Sequence, residues 1–281
     1  AYRNLCAVSH MAWDFDVRQW DGSFTMQIFN SSTRVADGFY NDGKTTARLC
    51  IAANCCQGFV QIGDAIYQPH RGMGSGYPGT TDINTIGHIL LLYTLYQIAC
   101  EEAGMNHFSS WHYFKIFVFA LLYSDDLTIA IAKEIISWFN GRILIKLYER
   151  FGWKVTMAFG KEDVDVEHPI MLTGKPVSDV QFLKRRWHKD PEISYITAPL
   201  DPESIFDLAY WMRKSDSPRR QFYENLENSL YLAFSHGRGF YDRWLKTINT
   251  ALSTIKLKTL DYPFEDIHNI LDNRYYSCNM F

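Results

Sequence analysis

Residues 121–131, Leu-Leu-Tyr-Ser-Asp-Asp-Leu-Thr-Ile-Ala-Ile, set two adjacent carboxylates between runs of aliphatic, β-branched and aromatic residues. Flanks of that composition predict two antiparallel strands, Phe114 to Tyr123 and Leu127 to Ile131, with Ser124, Asp125 and Asp126 at the tip. Neighbouring carboxylates repel one another when both are ionised. A tight turn accounts for the pair if the chain needs only turn formers there, because Asp hydrogen-bonds its own backbone in turns. A bound cation accounts for it by offsetting the repulsion.

Outward from this hairpin, the pattern alternates between strand and helix. MAWDFDVRQW from Met11 mixes apolar and acidic residues with short-range alternation and predicts a strand. GFVQIGDAIYQ from Gly58 predicts a hairpin turning at Gly63-Asp64. After Pro78-Gly79, Ile83, Ile86, Leu90, Tyr93 and Ile98 recur at helical spacing, with Gly104 as a stop. Ile135, Phe139, Ile143, Leu147 and Phe151 predict a second helix ending at Gly152. KVTMAF from Lys154 and DVQFLKRRW from Asp179 read as further strands, and beyond Pro199 the pattern is helical. This order predicts an α+β domain followed by a helical one.

Bulk properties set outer limits. A chain of 281 residues with 47% hydrophobic and 16% aromatic content can bury one large core or two smaller ones. The formal net charge of -3 gives no overall attraction to nucleic acid, although a local basic groove would not show in that sum. Cys6, Cys50, Cys55, Cys56, Cys100 and Cys278 have neither regular spacing nor a nearby histidine pair, so reduced thiols are expected rather than a disulfide framework or zinc site. FKIFVFALLY from Phe114 is too short to span a bilayer and contains Lys115, so no transmembrane segment is expected. The start, Ala1-Tyr2, reads as an internal cut or a processed end.

Three stretches carry chemistry in order along the chain. DVRQWD holds Asp16 and Asp21, SGYPGTTDIN opens the buried helix, and YSDD tips the hairpin. In this order and spacing they resemble motifs A, B and C of viral RNA-dependent RNA polymerases of the picornavirus-like, positive-strand RNA virus superfamily. FGWKVTMAFGK is similar to motif D and FLKRR to motif E, so the resemblance runs from about Trp13 to Arg186. APLDPESI looks like that family's join to the thumb. The implied fold is a right-hand polymerase palm, an antiparallel sheet packed on helices, over residues 1–198, with an inserted fingers segment near 31–69. A mainly helical thumb would follow over 199–281, and most of the fingers and the basic motif F would be absent.

The resemblance implies template-directed RNA synthesis in viral genome replication: ribonucleoside monophosphates added to an RNA 3′ end by two-metal phosphoryl transfer. Asp16 and Asp125 are the expected principal ligands of two Mg²⁺ ions, with Mn²⁺ able to substitute. Asp126 is expected in support, because strand alternation should turn it aside from its neighbour. Asp14 shares the strand but lacks a partner at the motif spacing and is read as structural. Asp21 would sense the ribose 2′-hydroxyl, held by Asn84 and helped by Ser75 and Thr80, while Gly76 permits an unusual backbone path. Lys161 in the motif D loop is the candidate general acid for pyrophosphate, with Lys154 as competitor. Phe182, Leu183, Lys184 and Arg185 resemble the primer grip, and Arg186 reads as surface charge.

The pattern departs from the family at Ser124, where glycine is usual, and Tyr-X-Asp-Asp also occurs in reverse transcriptases. Those enzymes carry a bulky aromatic where Asp21 stands, so Asp21 favours ribonucleotides. A reverse transcriptase and an inactive, polymerase-derived RNA-binding scaffold are the rival readings. His88 and His112 read as packing or hydrogen-bonded residues, and Met73 and Tyr77 as core. Expected partners are RNA template and primer, ribonucleoside triphosphates, and the missing fingers region or other viral replication proteins. The expected location is the host cytoplasm, at replication complexes.

Overall fold

The structure, a computed structural model, describes residues 1–281 apart from 41, 70, 74–78, 159, 161 and 279–281, and leaves aside the side chains of 56 and 273–278. The chain divides into two compact units, Ala1–Leu183 and Lys184–Phe281, each with its own hydrophobic core.

Unit 1 opens with α1 (Tyr2–Val8), β1 (Met11–Val17), the single turn α2 (Trp20–Ser23), and α3 (Met26–Asp37) and α4 (Thr45–Gln57). The predicted hairpin follows as β2 (Val60–Ile62) and β3 (Ala65–Tyr67), turning at Gly63 with φ 60°. The long buried helix is α5 (Thr80–Glu102), ended by Gly104 at φ 69°. Next come α6 (Trp111–Phe117), β4 (Val118–Tyr123), β5 (Asp126–Ile131), α7 (Gly141–Arg150) and β6 (Val155–Met157). The unit closes with α8 (Ile170–Thr173), β7 (Lys175–Pro176) and β8 (Gln181–Phe182).

The sheet runs β4-β5-β1-β6, with β7 also paired to β1, and every pairing is antiparallel. Its register explains the mixed composition of β1. Trp13 faces Ile129 and Phe15 faces Leu127, so successive odd-numbered residues form an apolar face. Burying side chains of this kind contributes about 1.5–3 kcal/mol each. The even-numbered residues form the other face, where Asp14 lies opposite Thr128 and Asp16 opposite Asp126. Helix α5 packs beside α3 and α7. Gly87 makes this close approach feasible, because a Cβ there would lie 2.4 Å from Phe24 Cζ and 2.7 Å from Ile28 Cγ2. By length and composition α5 could cross a membrane, but 56% of its most apolar window is buried within the protein, as in a core helix.

Three sequence expectations are corrected. The strand expected from Phe114 begins only at Val118, because Ser110 caps a helix there, its hydroxyl accepting from Tyr113 N. The helix expected from Ile135 begins at Gly141, where Asn140 Oδ1 accepts from Ile143 N at 3.1 Å; Ile135 and Phe139 are fully buried in the preceding turns. The strand expected from Asp179 is broken: β8 and β9 (Arg185–Arg186) are separated by Leu183 (φ 53°) and Lys184 (φ 58°), left-handed residues that reverse the chain.

Unit 2 continues from Lys184 through β9 into α9 (Pro202–Tyr210), α10 (Pro218–Phe234), α11 (Arg238–Thr254) and α12 (Phe264–Cys278). Asp201 caps α9 by accepting from Glu203 N, with Pro202 at the first helical position. Leu226, Leu230, Phe234, Tyr241, Ile248, Leu252 and Phe264 form its core. The units divide at Leu183/Lys184, whereas the resemblance set the junction after 198.

Candidate active site

The acidic residues converge at the end of the sheet. Asp16 is directly opposite Asp126, and the Val17 amide donates to the Asp125 carbonyl at 3.2 Å. Residues directly opposed across antiparallel strands have Cβ atoms about 4.5–5.5 Å apart on one face. It is therefore Asp126, the first residue of β5, that shares the row of Asp16. Asp126 is expected to turn aside from its neighbour; its register places it on the sheet face of Asp16. Asp125 lies in the turn. Asp16 is nearly buried, at 5% exposure, and Thr156 extends its row on β6, with its hydroxyl donating to the Asp16 carbonyl at 3.3 Å.

The turn itself is the two residues Ser124 and Asp125, since Tyr123 pairs with Asp126. Only Ser124 has positive φ, at 56°, the pattern of a hairpin turn that favours glycine at its first position. A residue with a Cβ pays about 1–2 kcal/mol for this conformation. Three side chains of α5 meet Ser124. Thr85 Oγ1 accepts from its amide at 3.0 Å, His88 Nδ1 lies 2.7 Å from its carbonyl, and Asn84 Nδ2 donates to its hydroxyl at 3.4 Å.

Asp21 sits in the first turn of α2, entered through Gln19 at φ 52°. Asn84 Nδ2 donates to Asp21 Oδ1 at 2.5 Å, and the Met73 amide donates to the Asp21 carbonyl at 2.8 Å. Asn84 is fully buried, and its Oδ1 meets no donor among the described residues. Thr80 opens α5, while Ser75, Gly76 and Tyr77 lie outside the described residues. Met73 is core, as read.

Lys161 also lies outside the described residues. Its competitor Lys154 is engaged elsewhere, 2.8 Å from Asp163. Asp14 takes the structural role read for it. It is fully buried, ion-paired with Lys175 at 2.6 Å, and accepts from the Gln181 amide at 2.6 Å. Burial raises its pKa, with Lys175 opposing that effect. Thr128 donates to the Gln181 carbonyl at 3.2 Å, so β8 is tied to both β1 and β5. Of the expected primer grip, Phe182 is half-buried, Leu183 and Lys184 are exposed, and Arg185 donates to the Ala198 carbonyl at 2.8 Å. His112 is exposed on α6, where its ring meets Tyr113 with centroids 5.6 Å apart. Cys6, Cys50, Cys55 and Cys100 are free thiols.

Among the described residues, no three His, Cys, Asp or Glu side chains are grouped so as to hold a metal by themselves. The carboxylates of Asp16, Asp125 and Asp126 are hard oxygen donors. Such a set suits Mg²⁺, which takes one or two protein carboxylates and keeps its other positions for water and substrate phosphates.

The sequence matches the description "Viral RNA-dependent RNA polymerase" over residues 2–252. The chain belongs to the viral RNA-dependent RNA polymerase family. Members of this family use divalent metal ions. Its similarity to the genome polyprotein of Rice tungro spherical virus (strain A) is 25% identity, covering 94% of this chain and 8% of the polyprotein. The RNA1 polyprotein of Raspberry ringspot virus is 29% identical over 84% of the chain and 10% of its own length. The replicase polyprotein of Acute bee paralysis virus is 25% identical over 84% and 12%. This polymerase-family chain thus spans about a tenth of those relatives. The solved Sicinivirus 3Dpol RNA-dependent RNA polymerase matches its fold with a TM-score of 0.68 at 17% identity, covering all of this chain and 54% of the other.

Sequence reasoning missed the support behind these residues. Thr85 and His88 stand one and four positions after Asn84, a spacing that shares a helix face, but nothing local identifies Ser124 as their partner.

Proposed function

We propose that this chain is the catalytic portion of a viral RNA-directed RNA polymerase that adds ribonucleoside monophosphates to an RNA 3′ end under template direction. The observation that carries the reading is the opposition of Asp16 and Asp126 beside the turn holding Asp125, with Asp21 held by Asn84. Asp16 and Asp125, supported by Asp126, would hold two Mg²⁺ ions, which when bound supply charge neutralisation and activation for phosphoryl transfer. Asp21 accepts the ribose 2′-hydroxyl, and Asn84 fixes that carboxylate while its Oδ1, which meets no donor among the described residues, offers another acceptor. Ser75, Gly76 and Thr80 complete the sugar site. Lys161 donates a proton to pyrophosphate, and residues 182–185 support the primer backbone.

Residues 1–198 then serve as palm with an inserted fingers segment near 31–69, and residues 199–281 as thumb. The partners are template, primer and nucleotides, with the remaining fingers or other viral replication proteins, in the host cytoplasm. Primer extension by the full polymerase carrying this chain tests the reading. Asp125→Asn should lower ribonucleotide incorporation by about a thousandfold, and Asp21→Phe should shift preference toward dNTPs by at least about tenfold. Efficient dNTP use by the unaltered protein would identify a reverse transcriptase. RNA affinity without metal-dependent turnover would identify a scaffold.

A further inference from the structure

His88 has a defined hydrogen-bond polarity. The Ser124 carbonyl can only accept, so the ring nitrogen 2.7 Å away, Nδ1, carries the proton. Nε2 then presents a lone pair, and Tyr148 Oη at 2.7 Å donates to it. Burial lowers the imidazole pKa to about 4 and raises that of the Tyr148 phenol, so the ring is neutral and the phenol keeps its proton. Trp20, next to Asp21 in the chain, packs on the same ring with centroids 4.6 Å apart. Both ring nitrogens are occupied and the residue is fully buried, which removes His88 from metal ligation and from proton exchange with a substrate.

This buried relay ends on a backbone carbonyl. Its target is the one backbone position in the catalytic turn that adopts a glycine-like conformation with a side chain attached. We infer that His88 is a positioning residue. Anchored by Tyr148 and Trp20 and assisted by Thr85 and Asn84, it holds Ser124 in the left-handed conformation and so sets the direction in which Asp125 and Asp126 leave the turn. Asn84 also grips Asp21, so one face of α5 carries both the sugar contact and the carboxylate turn. The role in synthesis rests on the polymerase reading above.

A double-mutant cycle in the full polymerase separates positioning from packing. His88→Phe keeps ring volume and removes the donor, whereas His88→Asn retains a donor near the Nδ1 position. His88→Phe should lower kcat at least about tenfold with the KM for nucleotide within about threefold, and His88→Asn should recover most of that loss. Ser124→Gly removes the strain that His88 offsets, so adding His88→Phe to it should cost less than about threefold. An equal His88→Phe penalty in both backgrounds, or a loss confined to KM, overturns the inference. Histidine ¹⁵N NMR of the unaltered protein reads the support directly and needs neither folded variants nor catalysis. An Nδ1–H tautomer is expected, and an Nε2–H tautomer overturns the inference. A polymerase that makes no RNA would refute the proposed function while leaving the NMR result to decide the hydrogen-bond relay.

Discussion

At the scale of single residues, polar groups buried behind the acidic centre link its stability to pH. The folded pKa of His88, about 4, lies below the ordinary 6.5 because burial penalises the charged ring. Between those values the unfolded chain binds a proton that the folded chain refuses, so acidification favours unfolding. The contribution of neutral His88 is complete above pH 6.5 and is lost as pH falls toward 4, up to about 3 kcal/mol at 1.36 kcal/mol per unit. Urea denaturation of the unaltered protein and of His88→Phe, compared at pH 7 and pH 4.5, should show a steeper loss in the former. Parallel pH profiles would remove His88 from the account. Asp14 works in the opposite direction, since a carboxyl whose pKa is raised by burial binds its proton more readily when folded. The comparison must therefore be made between variants.

At the scale of elements, α5 is the part whose position matters most. Residues 84, 85 and 88 reach Asp21 and Ser124 only because Gly87 lets the helix approach Phe24 and Ile28. A methyl at 87 overpacks that contact, typically at about 1–3 kcal/mol, against a helix-propensity gain of about 1 kcal/mol. Gly87→Ala should therefore lower the unfolding free energy by up to about 2 kcal/mol and reduce nucleotide incorporation. Unchanged chemical denaturation would mean the neighbouring side chains give way freely. The same scale accounts for the misread boundaries. Ser110 and Asn140 act through one capping bond each, and the apolar residues around them satisfy strand and helix patterns alike over such short runs.

At the scale of the whole molecule, two cores stand in one chain, and the outer part of unit 1 exposes large apolar groups. Phe39 is 86% exposed, Phe59 75% and Ile66 70%. The chain spans about a tenth of its polyprotein relatives and 54% of the solved polymerase it resembles. Primer extension by this chain alone should fall at least about tenfold below that of a polymerase of the relatives' full extent, because the chain matches only 54% of the solved polymerase. Full activity of the isolated chain would refute that expectation.

The sequence by itself determined the residue types of the acidic centre, their order along the chain, the alternation of β1 and the extent of α5. These follow from local periodicity and from motif spacing. It could not determine that Asp126 lies opposite Asp16, that Lys175 pairs with Asp14, or that His88 and Tyr148 stand behind Ser124. Alternation assigns side chains to faces, but the residue facing each one is set by strand register, which depends on turns and packing between distant segments. Tertiary structure decided those partners, because each joins side chains separated by tens of residues or more, and no local pattern encodes that meeting.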